Sequence, residues 1–331
     1  MRIGIMGVHY GHIGGMFQSA LNAKNGDIVG LVEPDDTLYE RYASQATIPR
    51  FNSLDEMLAD ARPELVLEGL VHDKKTALVE TCAQAGVHLL MDKPLCRTLD
   101  DWERIRRAVA THSIELSMWF TSRSYSPFVA LRRAILAGEL GEIASLISTH
   151  PHKIRRDTAP TWYFDPAVYT GPFHDLACHG VDQIRWLTGA ECTGVHALET
   201  CKRFTDAPKL TDHVQASYQL SDGSLATLTA DWLTPQESPS FGDTRFIVMG
   251  TEGSAHLRAY AEDHLLIISN KRGAYEPEMP KGTGNAFVAD MIDAIERSQD
   301  LFIPTRDVFA TAQACLQAQE SARRGGEFIA I

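Results

Sequence analysis

The first 120 residues alternate between short apolar runs and amphipathic stretches, and no other feature of the chain constrains its fold more. RIGIMG is a strand-like run ending in glycine, followed by a helical stretch over residues 11–24. DIVGLVEP is a second run closed by proline. FNSLDEMLAD opens with Ser53 as an N-cap and Glu56 three residues on, the signature of a capping box. ELVLEGL is a third strand, and KKTALVETCAQAG a helix ended by Gly86. VHLLMDKP is a fourth strand stopped by Pro94, LDDWERIRRAVATH an amphipathic helix and IELSMWF a fifth strand. Buried strands separated by amphipathic helices predict a doubly wound parallel sheet with helices on both faces.

The pattern changes after residue 120. SPFVALRRAILAGELG reads as a helix closed by Gly138. Strand-like runs then dominate: EIASLISTH, GVHALETCKRF, DHVQASYQL, SLATLTADWL, TRFIVMG and SAHLRAY, joined by turns such as SDGS and TEGS. Consecutive strands with tight turns predict a largely antiparallel sheet. The stretches 286–298 and 306–324 read as closing helices and are candidates to pack back on the first domain. The expectation is an α/β chain: a Rossmann domain over 1–120, then an α/β domain with a large, open, mostly antiparallel sheet over 121–331.

A net charge of −12 argues against nucleic acid or an anionic membrane as the main partner, since both need a basic face. The six cysteines (Cys82, Cys96, Cys178, Cys192, Cys201 and Cys315) form no CxxC and no zinc-like spacing. Scattered single cysteines, no signal-peptide pattern and no bilayer-length apolar run predict a cytoplasmic protein.

The loop after the first strand reads Gly7-Val8-His9-Tyr10-Gly11-His12. A dinucleotide fingerprint has GxGxxG there. Gly7 takes the tight-turn position, and His9 stands where the second glycine would let backbone approach a pyrophosphate. The third glycine is Gly11, one place early, or is replaced by His12. Glu33 ends the second strand, 22 residues after Gly11, where an acid accepts hydrogen bonds from adenosine ribose hydroxyls and repels a 2′-phosphate. NAD is therefore favoured over NADP. The competing reading is an ordinary β–α turn with an exposed acid.

In GPFHDLACHGVDQIRW, Asp175, His179 and Asp182 are spaced four and then three residues apart and share one face of a helix. Such a stripe is a proton relay, a metal site or a buried structural network. No other His/Cys/Asp cluster completes a metal shell, so no metal is expected.

MDKPL, residues 91–95, resembles the E-K-P motif of the Gfo/Idh/MocA family of NAD(P)-dependent oxidoreductases, with Asp92 in place of Glu. QAGVHLLMDKPL, LAGELGEIASL, HDLACHGVDQIRWLTG and VMGTEGSAHL resemble further family segments in the same order along the whole chain. The resemblance implies a Rossmann domain followed by a substrate-binding and oligomerising α/β domain, Lys93 near nicotinamide and substrate, and Asp175 and His179 as an acid–base pair. It adds His72 and Asp92 to the cofactor-binding set of Gly7, His9, Tyr10, Gly11, His12, Glu33 and Lys93. The departures are His9 for glycine, His72 and Lys75 where members carry Asn and His, and Ala177 for glycine. KIRRDTAPTWYFDPAVYTGPFHD precedes the catalytic helix, and its aromatic and charged residues suit a sugar pocket. Arg123, His152, Trp162 and Asp165 join Asp175 and His179 as expected substrate contacts.

The expected activity is hydride transfer between a CH–OH group of a sugar, inositol or related polyol and nicotinamide. His179 is the base for the hydroxyl proton, and Lys93 stabilises the oxygen as charge develops. The alternatives are a family enzyme using bound NAD transiently for hydrolysis, elimination or epimerisation, and a non-catalytic NAD-binding regulator. A homodimer or homotetramer is expected.

Overall fold

A computed structural model of the chain describes residues 1–205, 210–281 and 286–331. Two compact units emerge: Met1–Trp119 with Gly284–Phe309, and Phe120–Thr283 with Ala310–Ile331. The chain first passes between the units at Trp119 and Phe120. The tail differs, because the segment through residue 309 belongs to the first unit and not to the expected 121–331 domain. The cause is packing. Asn25 Nδ2 donates to the Ala289 carbonyl at 3.1 Å and to Asp293 at 2.7 Å, Trp119 packs on Phe287, and Ser117 Oγ donates to the Ile303 carbonyl at 2.9 Å.

In the first unit β1 (Arg2–Met6), α1 (Ile13–Asn22), β2 (Asp27–Val32), α2 (Asp36–Ala43), β3 (Arg50–Phe51), α3 (Leu54–Asp60), β4 (Leu65–Glu68), α4 (Lys75–Gln84), β5 (His88–Met91), α5 (Leu99–His112) and β6 (Leu116–Met118) follow one another. The sheet order is β3-β2-β1-β4-β5-β6, with parallel pairing throughout. The order reverses between β1 and β4, so the carboxyl ends of these strands form the crevice where such sheets take ligands. β3, only two residues long, carries too little periodicity to be read from sequence. Ser53 caps α3 by accepting the N–H of Glu56 at 3.1 Å. The return bond of the box goes to Asn52, whose N–H reaches Glu56 Oε2 at 2.8 Å.

The second unit opens with α6 (Ser126–Leu136) and β7 (Ile143–Pro151). A helical pair follows, α7 (Pro172–Asp175) and α8 (Ala177–Thr188). Then come β8 (Cys192–Thr200), β9 (His213–Leu220), β10 (Leu225–Asp231), β11 (Thr244–Gly250), β12 (Gly253–Ala259), β13 (His264–Ser269) and β14 (Gly273–Tyr275). The chain ends with α9 (Phe287–Glu296) in the first unit, α10 (Thr305–Arg323) and β15 (Ile329–Ala330). The nine-stranded sheet runs β14-β13-β12-β11-β7-β10-β9-β8-β15 and is antiparallel except for the β7–β10 pair. One face carries buried Leu146, Ala226, Leu228, Phe246 and Val248, and α8 lies against β7 and β10. The alternate residues Ile147, Ile247, Met249 and Ile268 are exposed. This period-two division is what an antiparallel sheet with one covered face requires. Among the described residues no helix is long and apolar enough to cross a membrane.

Candidate active site

The glycine loop is built by close approach. Gly7 has φ +70°, and a Cβ there would stand 2.5 Å from Leu70 Cδ2, so only glycine fits the turn. The N–H groups of His9 and Tyr10 both reach the Gly69 carbonyl, at 2.8 and 3.1 Å. The helix–strand contact that a third glycine serves is made at Gly15, where a Cβ would stand 3.1 Å from Trp119 Cζ2. At Gly11, the position expected from sequence, a Cβ would meet nothing within 4 Å. Helix α1 starts at Ile13 with no side-chain cap. Its first-turn N–H groups and positive dipole end suit a pyrophosphate. The loop thus fits a dinucleotide despite its irregular spelling.

At the end of β2, Glu33 is buried. Its Oε2 accepts the Val8 N–H at 3.0 Å, its Oε1 accepts the Asp35 N–H at 3.0 Å, and His9 Nε2 lies 3.3 Å from Oε2. Burial pushes this carboxyl up, but the bonds from His9 and the two backbone N–H groups outweigh it and hold it below the ordinary carboxylate range.

The loops after β4 and β5 converge on Lys93. Lys75, fully buried on α4, donates to Glu68 Oε2 at 3.0 Å and to the carbonyls of Asp92 and Lys93 at 2.6 and 3.4 Å. Glu68 also accepts the N–H groups of Leu70 at 2.6 Å and Asp92 at 3.2 Å. One ion pair thereby holds both loops. Burial drives the Glu68 carboxyl up to about 7, with the Lys75 ammonium pulling against it. The Lys93–Pro94 peptide is cis. The Lys93 ammonium donates to the Tyr10 hydroxyl and lies 4.8 Å from that ring's centre. His12 Nδ1 stands 2.8 Å from buried Asp92 Oδ1, and the buried His72 ring is 5.3 Å from Tyr10. The structure thus gathers Tyr10, His12, His72, Asp92 and Lys93 into one cluster of the first unit. Sequence reading missed Glu68 as part of it and noted Lys75 only as a departure. A buried-strand Glu followed seven residues on by Lys was the available signal.

In the second unit the expected helix breaks once. Leu176, with φ −111°, separates α7 from α8, so Asp175 and His179 lie on two short helical pieces. Asp175 is fully buried and its Oδ2 accepts from Tyr169 Oη at 2.8 Å, which in turn accepts from Trp232 Nε1 at 2.8 Å. Burial and the neighbouring Asp175 charge push the Tyr169 hydroxyl well above its ordinary value, so it stays a donor. His179 is the one residue of 172–185 that is not buried, and its ring packs edge-on against Phe120 at 5.8 Å.

The other members of the expected set divide. Asp182 makes a bidentate pair with Arg123, at 2.9 and 2.6 Å, with both side chains buried. Arg123, expected on substrate, thus has two guanidinium nitrogens bound to a carboxylate inside its own unit. Trp162 stacks on Tyr163 at 4.3 Å, and Tyr163, Tyr169, Trp232 and His152 continue the aromatic cluster. Asp165 is exposed, and its carboxylate accepts the Ala167 N–H at 2.8 Å, closing a turn. Among the described residues no group of three or more His, Cys, Asp or Glu is placed to hold a metal ion. Asp182 leaves that stripe through its arginine pair.

A switch-point crevice with this loop and strand-end acid defines a dinucleotide-binding domain. Residues 1–120 match the model of the oxidoreductase family's NAD-binding Rossmann fold, and residues 128–256 match the GFO/IDH/MocA C-terminal domain. The chain belongs to the Gfo/Idh/MocA family of NAD(P)-dependent oxidoreductases. It is 29% identical over 261 residues to a myo-inositol dehydrogenase of Streptomyces leeuwenhoekii, covering 77% of this chain and 75% of that one. It is 27% identical over 202 residues to a myo-inositol 2-dehydrogenase of Thermotoga maritima, covering 60% and 58%. Levoglucosan dehydrogenase in complex with NADH shares the fold, with a TM-score of 0.85 at 19% identity, covering 100% of this chain and 99% of that one.

Proposed function

We propose that this oxidoreductase oxidises a CH–OH group of a sugar, inositol or related polyol with NAD, with Lys93, Asp175 and His179 as its catalytic residues. The observation that carries this reading is the partial exposure of His179 alone in an otherwise buried stretch, 172–185. An imidazole kept within reach of solvent on a buried helix has a use other than packing. Two relatives named as myo-inositol dehydrogenases support the substrate class.

Nicotinamide, when bound, supplies the hydride acceptor. His179 takes the hydroxyl proton, since an imidazole exchanges protons near neutrality. Lys93 donates to the substrate oxygen as negative charge develops. The Tyr10 hydroxyl and the Lys75–Glu68 pair hold Lys93 and its backbone in place. Asp175, aligned by Tyr169, orients substrate or His179. Gly11 and the N-terminal end of α1, beside the turn at Gly7, take the pyrophosphate, Glu33 and His9 the adenosine ribose, and His12, His72 and Asp92 the nicotinamide end. Trp162 and His152 line the sugar side. Arg123 and Asp165 hold structure and leave that set.

The test is a panel of polyols and sugars, myo-inositol first, incubated with NAD. NADH rising in step with oxidised product supports the reading. Product without net NADH assigns the enzyme to transient oxidation instead. Nucleotide binding with no turnover of any member sinks the dehydrogenase assignment.

The location is cytoplasmic in this reading, supported by six free cysteines, five of them buried. The assembly is a homodimer or homotetramer formed through the open sheet face, whose exposed Leu198, Leu225, Ile147, Ile247 and Ile268 would otherwise meet water. Light scattering that returns the 36.6 kDa monomer overturns it.

A further inference from the structure

The acid expected to meet the adenosine ribose is covered. Glu33 is 0% exposed, and the His9 imidazole, itself 33% exposed, lies over the carboxylate at 3.3 Å. Arg50 of β3 stands on the other flank. It donates to the backbone carbonyls of Glu33 at 3.0 Å and Pro34 at 2.9 Å, and pairs with Asp36 at 2.6 Å. A glycine at position 9 would leave the carboxylate face open, whereas here a titratable ring closes it.

We propose that His9 is the specificity-determining residue for the nucleotide: paired with Glu33 at 3.3 Å, it cancels the acid's repulsion of a 2′-phosphate. The inference rests on the family reading of this loop as the dinucleotide site. An uncovered carboxylate accepts from the ribose diol and repels a phosphate. An imidazolium on that carboxylate removes the repulsion and competes with the diol. Both effects shift preference from NAD(H) towards NADP(H).

The charges facing His9 are Glu33, which bonds it, and Asp35, with Arg50 and Asp36 at the same strand ends. The hydrogen bond His9 donates to Glu33 and the nearby carboxylates hold the imidazole above its ordinary value of 6.5, against the effect of burial. His9 is therefore cationic in mild acid and neutral in alkali. As pH rises through its range the Glu33 charge is unmasked, and NADPH weakens relative to NADH.

The experiment measures dissociation constants of NADH and NADPH, by nicotinamide fluorescence, at about pH 6 and about pH 9. It compares the wild type with His9→Gln, His9→Gly and Glu33→Gln. In the wild type the NADPH-to-NADH affinity ratio should fall at least about fivefold with rising pH. In His9→Gln and His9→Gly the ratio should already be low at the acid end and change by less than about twofold. Glu33→Gln should raise NADPH affinity at both values. Ionisation of the 2′-phosphate, with a second pKa of about 6, is common to all four proteins and cancels in the comparison. A ratio that moves equally in the wild type and both His9 variants overturns the role of His9. Failure of the wild type to bind NADH at either pH overturns the nucleotide reading instead.

Discussion

Lys93→Met and His179→Ala should each lower turnover by about 10²–10⁴-fold while leaving NADH affinity within about twofold of wild type. The expectation follows from where charge moves. Removing His179 takes away the proton acceptor for the hydroxyl, and removing Lys93 takes away a donor to the oxygen on which charge develops. Neither loss touches the glycine loop's backbone or Glu33, so nucleotide binding stays. Steady-state kinetics on the substrate found with the polyol panel, with NADH titration alongside, make the check. Either variant retaining near-wild-type turnover removes that residue from the catalytic set. Tyr10→Phe provides a graded comparison, because it keeps the ring beside the ammonium and deletes only the hydroxyl that Lys93 bonds.

Lys75→Met should destabilise the protein by about 3–5 kcal/mol, a loss large beside the marginal stability of a folded domain. The substitution strands Glu68 without its cation, and it frees the carbonyls of Asp92 and Lys93. Its pH dependence has a definite sign. Burial already holds the Glu68 carboxyl at about 7 against 4.5 for an ordinary one, and losing Lys75 raises it further. A carboxyl whose pKa is raised on folding costs nothing below its unfolded value and progressively more as pH rises through the folded one. The Lys75→Met defect should therefore be smaller near pH 5 than near pH 8. Adding Glu68→Gln should recover most of the loss, because the amide oxygen still accepts from the Leu70 and Asp92 N–H groups without carrying charge. Denaturant melts of the two variants at both pH values decide it. A pH-independent defect, or no recovery in the double variant, means the pair is not the clamp described.

The parts of the site legible in the sequence are those written by local patterns. Gly7, Glu33 and Lys93 each occupy a fixed place relative to a strand end, and the backbone geometry of those elements puts them where they are found, whereas the break at Leu176 sets Asp175 and His179 on separate helices. The second fingerprint glycine fails as a guide for a physical reason. At position 9 the backbone N–H is tied to the Gly69 carbonyl, and the tight approach of α1 is made at Gly15 against Trp119, a contact across 104 residues. Arg123 and Asp182, 59 residues apart, read as separate site candidates until folding joins them.

The parallel sheet, the largely antiparallel sheet and the family are readable from local order alone, because strand and helix periodicities and short motifs are properties of neighbouring residues. Tertiary structure alone decided that the 284–309 segment completes the first unit and that Lys75 and Glu68 clamp the Lys93 loop. It also decided that Tyr169 and Trp232 hold Asp175, and that His9 covers Glu33. Each of these is set by side-chain contacts between separate elements, some near in sequence, as with Glu68 and Lys75, and some far, as with Tyr169 and Trp232. Such contacts depend on where packed elements end in space, and no periodicity records that.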